Sequence, residues 1–197
     1  MTRSRGVLRR TRRRVAAAGL LAALVATGAG CGSDDDGGGD SADEPTAAES
    51  WADDLCSSVG AWTTTMEEAR TTLSNPRELS AADLETTIDQ VRSSTSTLIG
   101  DLDGLGTPDT EAGDAASERL TALSDEMESQ SAVVEEAAGS EPENLQQRLE
   151  RASTVTGAAA AMVSEAKAAV SDLRGLEGAQ ELQDAIEGTA SCQDLGG

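Results

Sequence analysis

Clustered carboxylates are the most abundant groups capable of chemistry in this 197-residue chain, which has 36 acidic residues. Two carboxyl groups placed on either side of a glycosidic bond can act as general acid and base in its hydrolysis. The candidate groups are Glu67 with Glu68, Asp101 with Asp103, Asp125 and Glu126 with Glu128, and Glu135 with Glu136. A sugar-binding cleft also needs aromatic side chains, and the chain has two Trp but neither Phe nor Tyr. Because a charge run on a helix is usually a solvated face, hydrolysis is the weakest of the function hypotheses.

The side chains on which most nucleophilic and metal-dependent enzymes rely are scarce. The sequence has no histidine and no tyrosine, which excludes Ser-His and Cys-His catalysis, His-containing zinc sites and the Glu-x-x-His pairs of di-iron bundles. It also lacks Gly-rich phosphate-binding motifs. Lys167, the single lysine, could act as a nucleophile if buried, but an isolated lysine is far more often exposed on a helix. The sequence therefore predicts a non-enzymatic protein without a cofactor or a metal site.

The N-terminal 30 residues are organised like an export signal. Seven arginines and no acidic residue occupy positions 1–14, followed by an apolar stretch over 15–25 and small residues over 27–30. A basic head, an apolar run and a small-residue exit are typical of a signal peptide. The apolar run is shorter than the roughly 20 residues that a membrane-spanning helix needs. Thr11, Arg12 and Arg13 loosely match a twin-arginine signal, so the general and twin-arginine export routes both stay open.

The end of this signal indicates how it is processed. The sequence Gly28-Ala29-Gly30-Cys31 resembles the lipobox of bacterial lipoproteins, although Gly28 stands where that motif usually has Leu. The resemblance implies that residues 1–30 are removed and that Cys31 is diacylated and becomes the mature N-terminus. Two acyl chains are enough for stable anchoring, which would place the protein on the outer face of the plasma membrane. Ordinary signal cleavage that leaves Cys31 as a free thiol is the alternative.

The segment that follows Cys31 is acidic and rich in glycine. Residues 32–50 hold seven acids, four glycines and one proline, with no large apolar side chain. Such a segment cannot bury enough surface to offset its conformational entropy, so we expect residues 31–50 to be a lipidated cysteine and a disordered tether. With its arginine-rich, alanine-rich composition, the chain resembles the small surface lipoproteins of actinobacteria, and this resemblance is specific to residues 1–50.

Charge limits the partners of the exported protein. Loss of the seven signal arginines takes the formal net charge from −21 to −28. Such a surface repels nucleic acid and anionic lipid head groups and favours cations or basic proteins. We therefore expect membrane contact through the anchor alone, no nucleic-acid partner, and a basic envelope protein as the candidate partner. The candidate contact residues around one helix–helix turn are Glu135, Glu136, Glu141 and Glu143.

Apolar residues recur in steps of three and four through most of residues 51–197, which predicts helices. Four stripes cover residues 51–73, 84–102, 112–137 and 145–173, and Leu182 with Ile186 predict a short helix over 180–192. The expected helix starts are a capping pair at Ser80 and Asp83, an N-cap at Thr107 with Pro108, and a capping pair at Ser140 and Glu143. The predicted fold is all-α, an up-down four-helix bundle with a short fifth C-terminal helix.

Two pairs of residues bear on how this bundle is held together. Cys56 and Cys192 bracket nearly the whole domain, and outside the plasma membrane they can form a disulfide; two free buried thiols are the alternative. Trp51 and Trp62 lie 11 positions apart in the first stripe, about three helical turns, and so share a face. They are either core anchors or, for one of them, the lining of a groove for an apolar ligand or a partner helix.

The leading hypothesis is a lipid-anchored, extracytoplasmic, non-enzymatic helical domain that binds or spaces another envelope component. The alternative is a solute-binding lipoprotein for a small cation or an apolar ligand. A deep pocket reached by two or more inward-facing carboxylates would favour solute binding or hydrolysis over partner binding.

Overall fold

The structure, a computed structural model, describes residues 44–75, 77–139 and 142–195. Its helices are α1 (Ala47–Leu73), α2 (Ala81–Leu105), α3 (Gly113–Ala138), α4 (Leu145–Arg174), α5 (Gln180–Gly188) and α6 (Ala190–Asp194). Each long helix packs against the next and α4 packs back against α1, which closes an up-down-up-down bundle. The short helices α5 and α6 lie against α1, and α5 also contacts α4. The prediction of an all-α bundle with a short C-terminal helix is confirmed, and the described ranges contain no strand.

The first helix begins earlier than the sequence pattern indicates. Thr46 and Glu49 form a capping box, in which Glu49 N donates to Thr46 Oγ1 at 3.1 Å and Thr46 N donates to Glu49 Oε2 at 2.7 Å. These bonds satisfy two amide groups that would otherwise lack partners at the helix end. Helix α1 therefore starts at Ala47, inside the stretch assigned to the tether, while residues 1–43, with the signal and Cys31, lie outside the described residues.

The start of α2 is as predicted, and the start of α3 is not. Ser80 and Asp83 form the expected capping box at the start of α2. At the predicted start of α3, two tight turns intervene, with Thr110 N donating to Pro108 O and Gly113 N donating to Thr110 O. Helix α3 begins at Gly113. A side chain there would collide with the carbonyl oxygen of Pro108, so glycine lets the turn pack closely on the helix.

The last helices also begin or break at positions that differ from the prediction. Asn144 caps α4, its Oδ1 accepting from Gln147 N at 3.0 Å, so the helix begins four residues beyond the start that a Ser140 cap implies. Ser140 itself lies outside the described residues. The predicted helix over 180–192 is divided at Thr189, whose ψ of 127° is extended rather than helical. The segment before Thr189 forms α5, and the segment after it forms α6.

The core follows the predicted stripes in α1, α2 and most of α3 and departs from the prediction in α4. The seven stripe positions of α1 are buried (Trp51, Leu55, Val59, Trp62, Met66, Ala69 and Leu73), and so are those of α2 (Leu84, Ile88, Val91, Thr95, Leu98 and Leu102). The α3 stripe is buried as far as Val134, with Ala137 half-buried. In α4, by contrast, Leu145 is 42% exposed and Leu149 is half-buried. The prediction of a core stripe from residue 145 is therefore wrong for its first turn.

Further along α4 the buried face is also shifted slightly from the predicted one. Val155 and Met162 are fully buried, whereas the predicted stripe residue Thr156 is half-buried. Thr156 Oγ1 donates to the carbonyl oxygen of Ala152 at 2.7 Å, so its hydroxyl is satisfied within the helix. The buried face of α4 therefore includes Val155 in place of Thr156.

None of the helices in the described part of the chain combines the length and the apolar character needed to cross a membrane.

Candidate partner-binding site

The two ends of the bundle are identified by side chains that join neighbouring helices. At one end, Trp51 Nε1 on α1 donates to Gly106 O just after α2 at 3.1 Å, and Arg119 Nε on α3 lies 2.8 Å from Asp172 Oδ2 on α4. The short helices α5 and α6 also pack beside the start of α1 at this end. We call it the stapled end, because the disulfide described below also lies there.

The opposite end contains the α1–α2 and α3–α4 turns. Arg148 Nη1 near the start of α4 donates to Leu79 O just before α2 at 3.2 Å, and Arg92 Nη2 lies 3.3 Å from Glu135 Oε1 near the end of α3. We call this the open end. Helix α1 has 27 residues, so the two ends are about 40 Å apart at 1.5 Å per residue.

The predicted disulfide is present at the stapled end. Cys56 on α1 is bonded to Cys192 on α6 across a separation of 136 residues, and their Cα atoms are 4.9 Å apart. Both cysteines are fully buried. Two hydrogen bonds hold α6 in place beside the bond, from Ser191 Oγ to Asp53 Oδ1 at 2.9 Å and from Arg174 Nη2 to Cys192 O at 3.2 Å.

Both tryptophans lie in the core. Trp51 is 6% exposed and bonded to Gly106 O, and Trp62 is 3% exposed with its Nε1 3.3 Å from Thr95 Oγ1. Each ring therefore buries its apolar body while its single polar atom has a partner. This placement corresponds to the core-anchor alternative, and neither ring is available to line a ligand groove.

A surface cavity lies at the open end, where α3 ends and α4 begins. It is an open cleft of about 700 Å³, which we call the α3–α4 cleft. Its lining residues are Val133, Glu136, Ala137, Pro142, Glu143, Gln147, Glu150, Arg151 and Thr154.

The structure separates the four acids that the sequence grouped together. Glu136 and Glu143 line the α3–α4 cleft. Glu135 lies on the neighbouring face, in a groove of about 560 Å³ between α2 and α3, where it pairs with Arg92. Glu141 lies outside the described residues. The cleft therefore takes two of the predicted acids, and it adds Glu150 on α4, which the charge pattern alone did not identify.

Backbone and side-chain hydrogen bonds hold the lip of this cleft in place. Glu143 N donates to Gln147 Oε1 at 2.7 Å, and Gln147 N donates to the capping Asn144 side chain at 3.0 Å. Arg151 is 8% exposed, and its Nη2 donates to the last carbonyl of α3, Ala138 O, at 3.1 Å. The basic lining residue of the cleft is thus buried against the end of α3, while the carboxylates remain exposed.

Two large apolar side chains are exposed toward the open end. Val133 on α3 is 40% exposed and Leu145, the first residue of α4, is 42% exposed; they are the large hydrophobic residues that the described part of the chain leaves exposed. Val133 lines the cleft, whereas Leu145 does not, because it is two positions from the lining residue Gln147 and so about 200° around the helix from it. Sequence reasoning missed Val133 and misplaced Leu145 in the core.

The groups considered for catalysis are spread over several surface pockets: Glu67 and Lys167 line one of about 350 Å³, Glu128 and Glu135 line the α2–α3 groove, and Glu136 lines the α3–α4 cleft. Lys167 and the acids at positions 67, 68, 101, 103, 125 and 128 are exposed, and Glu126 accepts a hydrogen bond from Gln130 on its own helix at 2.9 Å. Within the described ranges, no group of three or more His, Cys, Asp or Glu side chains is arranged to hold a metal ion.

The fold and the site define a class: an all-α four-helix bundle whose C-terminal helices are disulfide-linked to α1 and whose open end has an acidic surface cleft. No protein-family model, curated protein or solved structure matches this chain.

Proposed function

We propose that this protein is a lipid-anchored, extracytoplasmic, non-enzymatic helical domain that binds a basic component of the cell envelope through its acidic surface. The observation that carries the proposal is the composition of the α3–α4 cleft. Glu136, Glu143 and Glu150 line it, and its basic residue, Arg151, is buried against the end of α3. The cleft therefore presents negative charge to a partner.

The rest of the domain adds to this field. Residues 51–197 have 29 acidic and eight basic residues, because the other seven acids and seven arginines precede Trp51. Single exposed charge pairs contribute little, but many charges of one sign speed the encounter with an oppositely charged partner. Such binding weakens as salt increases, since the Debye length is about 8 Å at physiological ionic strength.

The location of the protein is proposed from the first 50 residues. The basic head, the short apolar run and the Gly30-Cys31 junction together support export and lipidation. Metabolic labelling with a fatty acid should tag the wild-type protein, and Cys31→Ala should abolish the label. Equal labelling of this variant would reject the lipid anchor.

Partner binding is tested by co-purification from native membranes at increasing salt. The test variant replaces Glu135, Glu136, Glu141 and Glu143 by Gln at the open end. A matched control changes the same amount of charge at the stapled end: Glu177→Gln, Glu181→Gln, Asp184→Asn and Glu187→Gln.

We expect the open-end variant to lose basic partners that the control retains, and both proteins to lose them at high salt. Retention that ignores salt and all of these substitutions would reject electrostatic recognition.

Solute binding remains the second proposal, because a cleft of about 700 Å³ is within the size range of small-ligand sites. The open shape and the exposed carboxylates favour a macromolecular partner over an enclosed solute. Tight binding of a small cation or apolar ligand by the purified protein, with no protein partner, would favour solute binding.

A further inference from the structure

A small crevice between α1 and α4, in the half of the bundle nearer the stapled end, combines basic groups with apolar walls. We call it the α1–α4 crevice. It has a volume of about 220 Å³ and is lined by Val59, Lys167, Val170, Ser171, Arg174 and Leu195. From this lining we infer that the crevice binds a small organic anion, a carboxylate with a short apolar chain. The inference goes beyond the proposed function, because it concerns a small ligand and a cavity separate from the α3–α4 cleft.

The charge of the crevice differs from that of the two cavities at the open end. The α3–α4 cleft and the α2–α3 groove are each lined by three acids, whereas the α1–α4 crevice has no acidic lining residue. Lys167 and Arg174 are two of the eight basic residues of the domain, and both line the crevice. They lie seven positions apart on α4, which is about two turns and therefore the same face. A domain with few cations thus places two of them around one small cavity.

The polar groups of the crevice have unused capacity for an anion. In the described part of the chain, Lys167 forms no ion pair. Arg174 Nη2 donates to Cys192 O at 3.2 Å, while Arg174 Nε is buried and has no hydrogen-bond partner among the described residues. A buried donor without a partner is unfavourable, and a carboxylate oxygen is a strong acceptor for a guanidinium. Ser171, one turn from Lys167, adds a hydroxyl donor.

The walls of the crevice favour an anion that also has an apolar part. Val59 and Val170 are buried in the core beneath it. Leu195 is half-buried, and its Cδ2 lies 3.7 Å from the position that a Cβ atom at Gly60 would occupy, so it packs over α1. A volume of 220 Å³ corresponds to about seven water molecules of about 30 Å³ each. A short-chain carboxylate such as pentanoate has this size.

The nearest acids line a different pocket. Glu67 and Asp194 line the pocket of about 350 Å³ that shares Lys167 and Leu195 with the crevice. Within the described residues, neither acid forms an ion pair with Lys167. The negative charge of the rest of the domain acts over longer distances and is screened beyond about 8 Å at physiological ionic strength. Direct contacts with the basic groups therefore decide whether an anion binds in the crevice.

The test measures the binding of pentanoate to the full chain, with its disulfide intact, by titration followed in amide NMR spectra. Pentanamide has nearly the same size but no charge, and acetate has the charge but little apolar surface. We expect pentanoate to bind with a dissociation constant of roughly 1 mM and each comparison ligand to bind at least about tenfold more weakly. The amide shifts should be concentrated at residues 167–174 and 195.

Variants of the lining residues separate the charge from the apolar wall. Lys167→Met should weaken pentanoate roughly tenfold, and Lys167→Arg should restore most of the binding because it restores the charge. Arg70→Met, at an exposed position of α1 outside the crevice, is the matched control and should leave binding unchanged. Because Lys167 and Arg70 are both exposed, the two Met variants should keep the wild-type urea midpoint. Leu195→Ser should weaken pentanoate roughly fivefold and leave acetate unchanged, since only apolar contact is removed.

The outcomes that would overturn the inference are distinct from those that test partner binding. Pentanamide or acetate binding as tightly as pentanoate would reject the ligand class, and so would pentanoate binding that Leu195→Ser leaves unchanged. Equal effects of Lys167→Met and Arg70→Met, or amide shifts confined to the α3–α4 cleft, would reject the site. No binding at about 20 mM pentanoate would reject both. Each of these results leaves the proposed partner binding intact, because that proposal is tested by co-purification at increasing salt.

Discussion

The stapled end and the open end of this bundle are built from the same four helices and are constrained very differently. At the stapled end, a disulfide, the Trp51–Gly106 hydrogen bond and the Arg119–Asp172 ion pair join α1 to α6, α1 to α2 and α3 to α4. At the open end, the connections between helices are made by arginine side chains. Stability is thus concentrated at one end, and exposed apolar and acidic surface at the other.

The contrast shows how a core with no Phe or Tyr is held together mainly at one end. Twelve of the 36 buried apolar residues in the described part of the chain are alanine, which contributes little burial energy because each missing methylene forgoes about 0.8 kcal/mol. A covalent link offsets part of this deficit without needing more apolar residues. Substitutions at the stapled end should therefore change stability, and substitutions at the open end should mainly change binding.

The largest expected effect is loss of the disulfide. Cys56→Ser with Cys192→Ser should lower the free energy of unfolding by about 4 kcal/mol, because the bond restricts the unfolded chain and loops of 100 residues give about 4.7 kcal/mol. Urea unfolding with and without a reductant measures the effect. Reductant should shift the wild-type midpoint to that of the double variant and leave the variant unchanged. Two titratable thiols in the native exported protein would contradict the bond itself.

An effect of similar size is expected from a comparison of one large apolar side chain at each end. Trp51→Ala should cost about 3–5 kcal/mol, because it leaves a cavity in the core and an unpaired carbonyl at Gly106. Leu145→Ala should cost about 1 kcal/mol or less, because this side chain at the start of α4 is already 42% exposed. Urea midpoints of the two variants should differ accordingly. Similar losses from both substitutions would remove the distinction between the two ends.

Replacing either of two glycines by alanine should change stability by a smaller amount, and the two changes should have opposite signs. Gly113→Ala should destabilise by about 1–3 kcal/mol, because its methyl group meets the carbonyl oxygen of Pro108 and the turn must shift. Gly157→Ala, in the exposed part of α4 with open space around it, should stabilise by about 0.5–1 kcal/mol. Thermal melting followed by circular dichroism measures both changes. A stabilising Gly113→Ala would show that the turn before α3 adapts freely.

The smallest effect concerns the charges of the open end. Glu135→Gln should lower stability by no more than about 0.5 kcal/mol, because its ion pair with Arg92 is exposed on both sides. Glu136→Gln, which has no such pair, should cause no loss. A double-mutant cycle with Arg92→Met measures the difference between these neighbours. A loss well above 1 kcal/mol for Glu135→Gln would mean that the open end depends on this pair.

The overall fold and the disulfide could be predicted because each depends on features that sequence spacing preserves. Apolar steps of three and four placed Leu55 and Ile88 in the core, and a cysteine pair in a chain expected to be exported had few other uses. The Ser80 cap could also be predicted, because its two hydrogen bonds join residues only three positions apart.

The predictions were wrong where the burial of a side chain or the start of a helix depended on residues far away in the sequence. Leu145 has the spacing of a core residue, yet it is 42% exposed at the first position of α4. Burial at a helix end depends on where the neighbouring helices end, which the spacing within α4 does not contain. Glu135 and Glu136 are adjacent in sequence, yet a helix turns by about 100° per residue, so they face different grooves. The sequence predicted that α3 begins at Pro108, but the helix begins at Gly113 because two hydrogen-bonded turns precede it.

The position of the Cys56–Cys192 bond also determines how the domain transmits force. In the proposed arrangement, a protein held through its N-terminal segment and pulled by a partner at the α3–α4 cleft is under tension between Ala47 and a point inside the covalently closed loop. Beyond Cys56 this tension divides into two parallel paths, one through α1 to α3 and the other through α6, α5 and α4. Each path carries part of the load, and the shorter one, from the cleft to residue 192, limits how far the chain can extend. The bond therefore makes the bundle a stiffer connection between Ala47 and the α3–α4 cleft than the same helices without the disulfide would be.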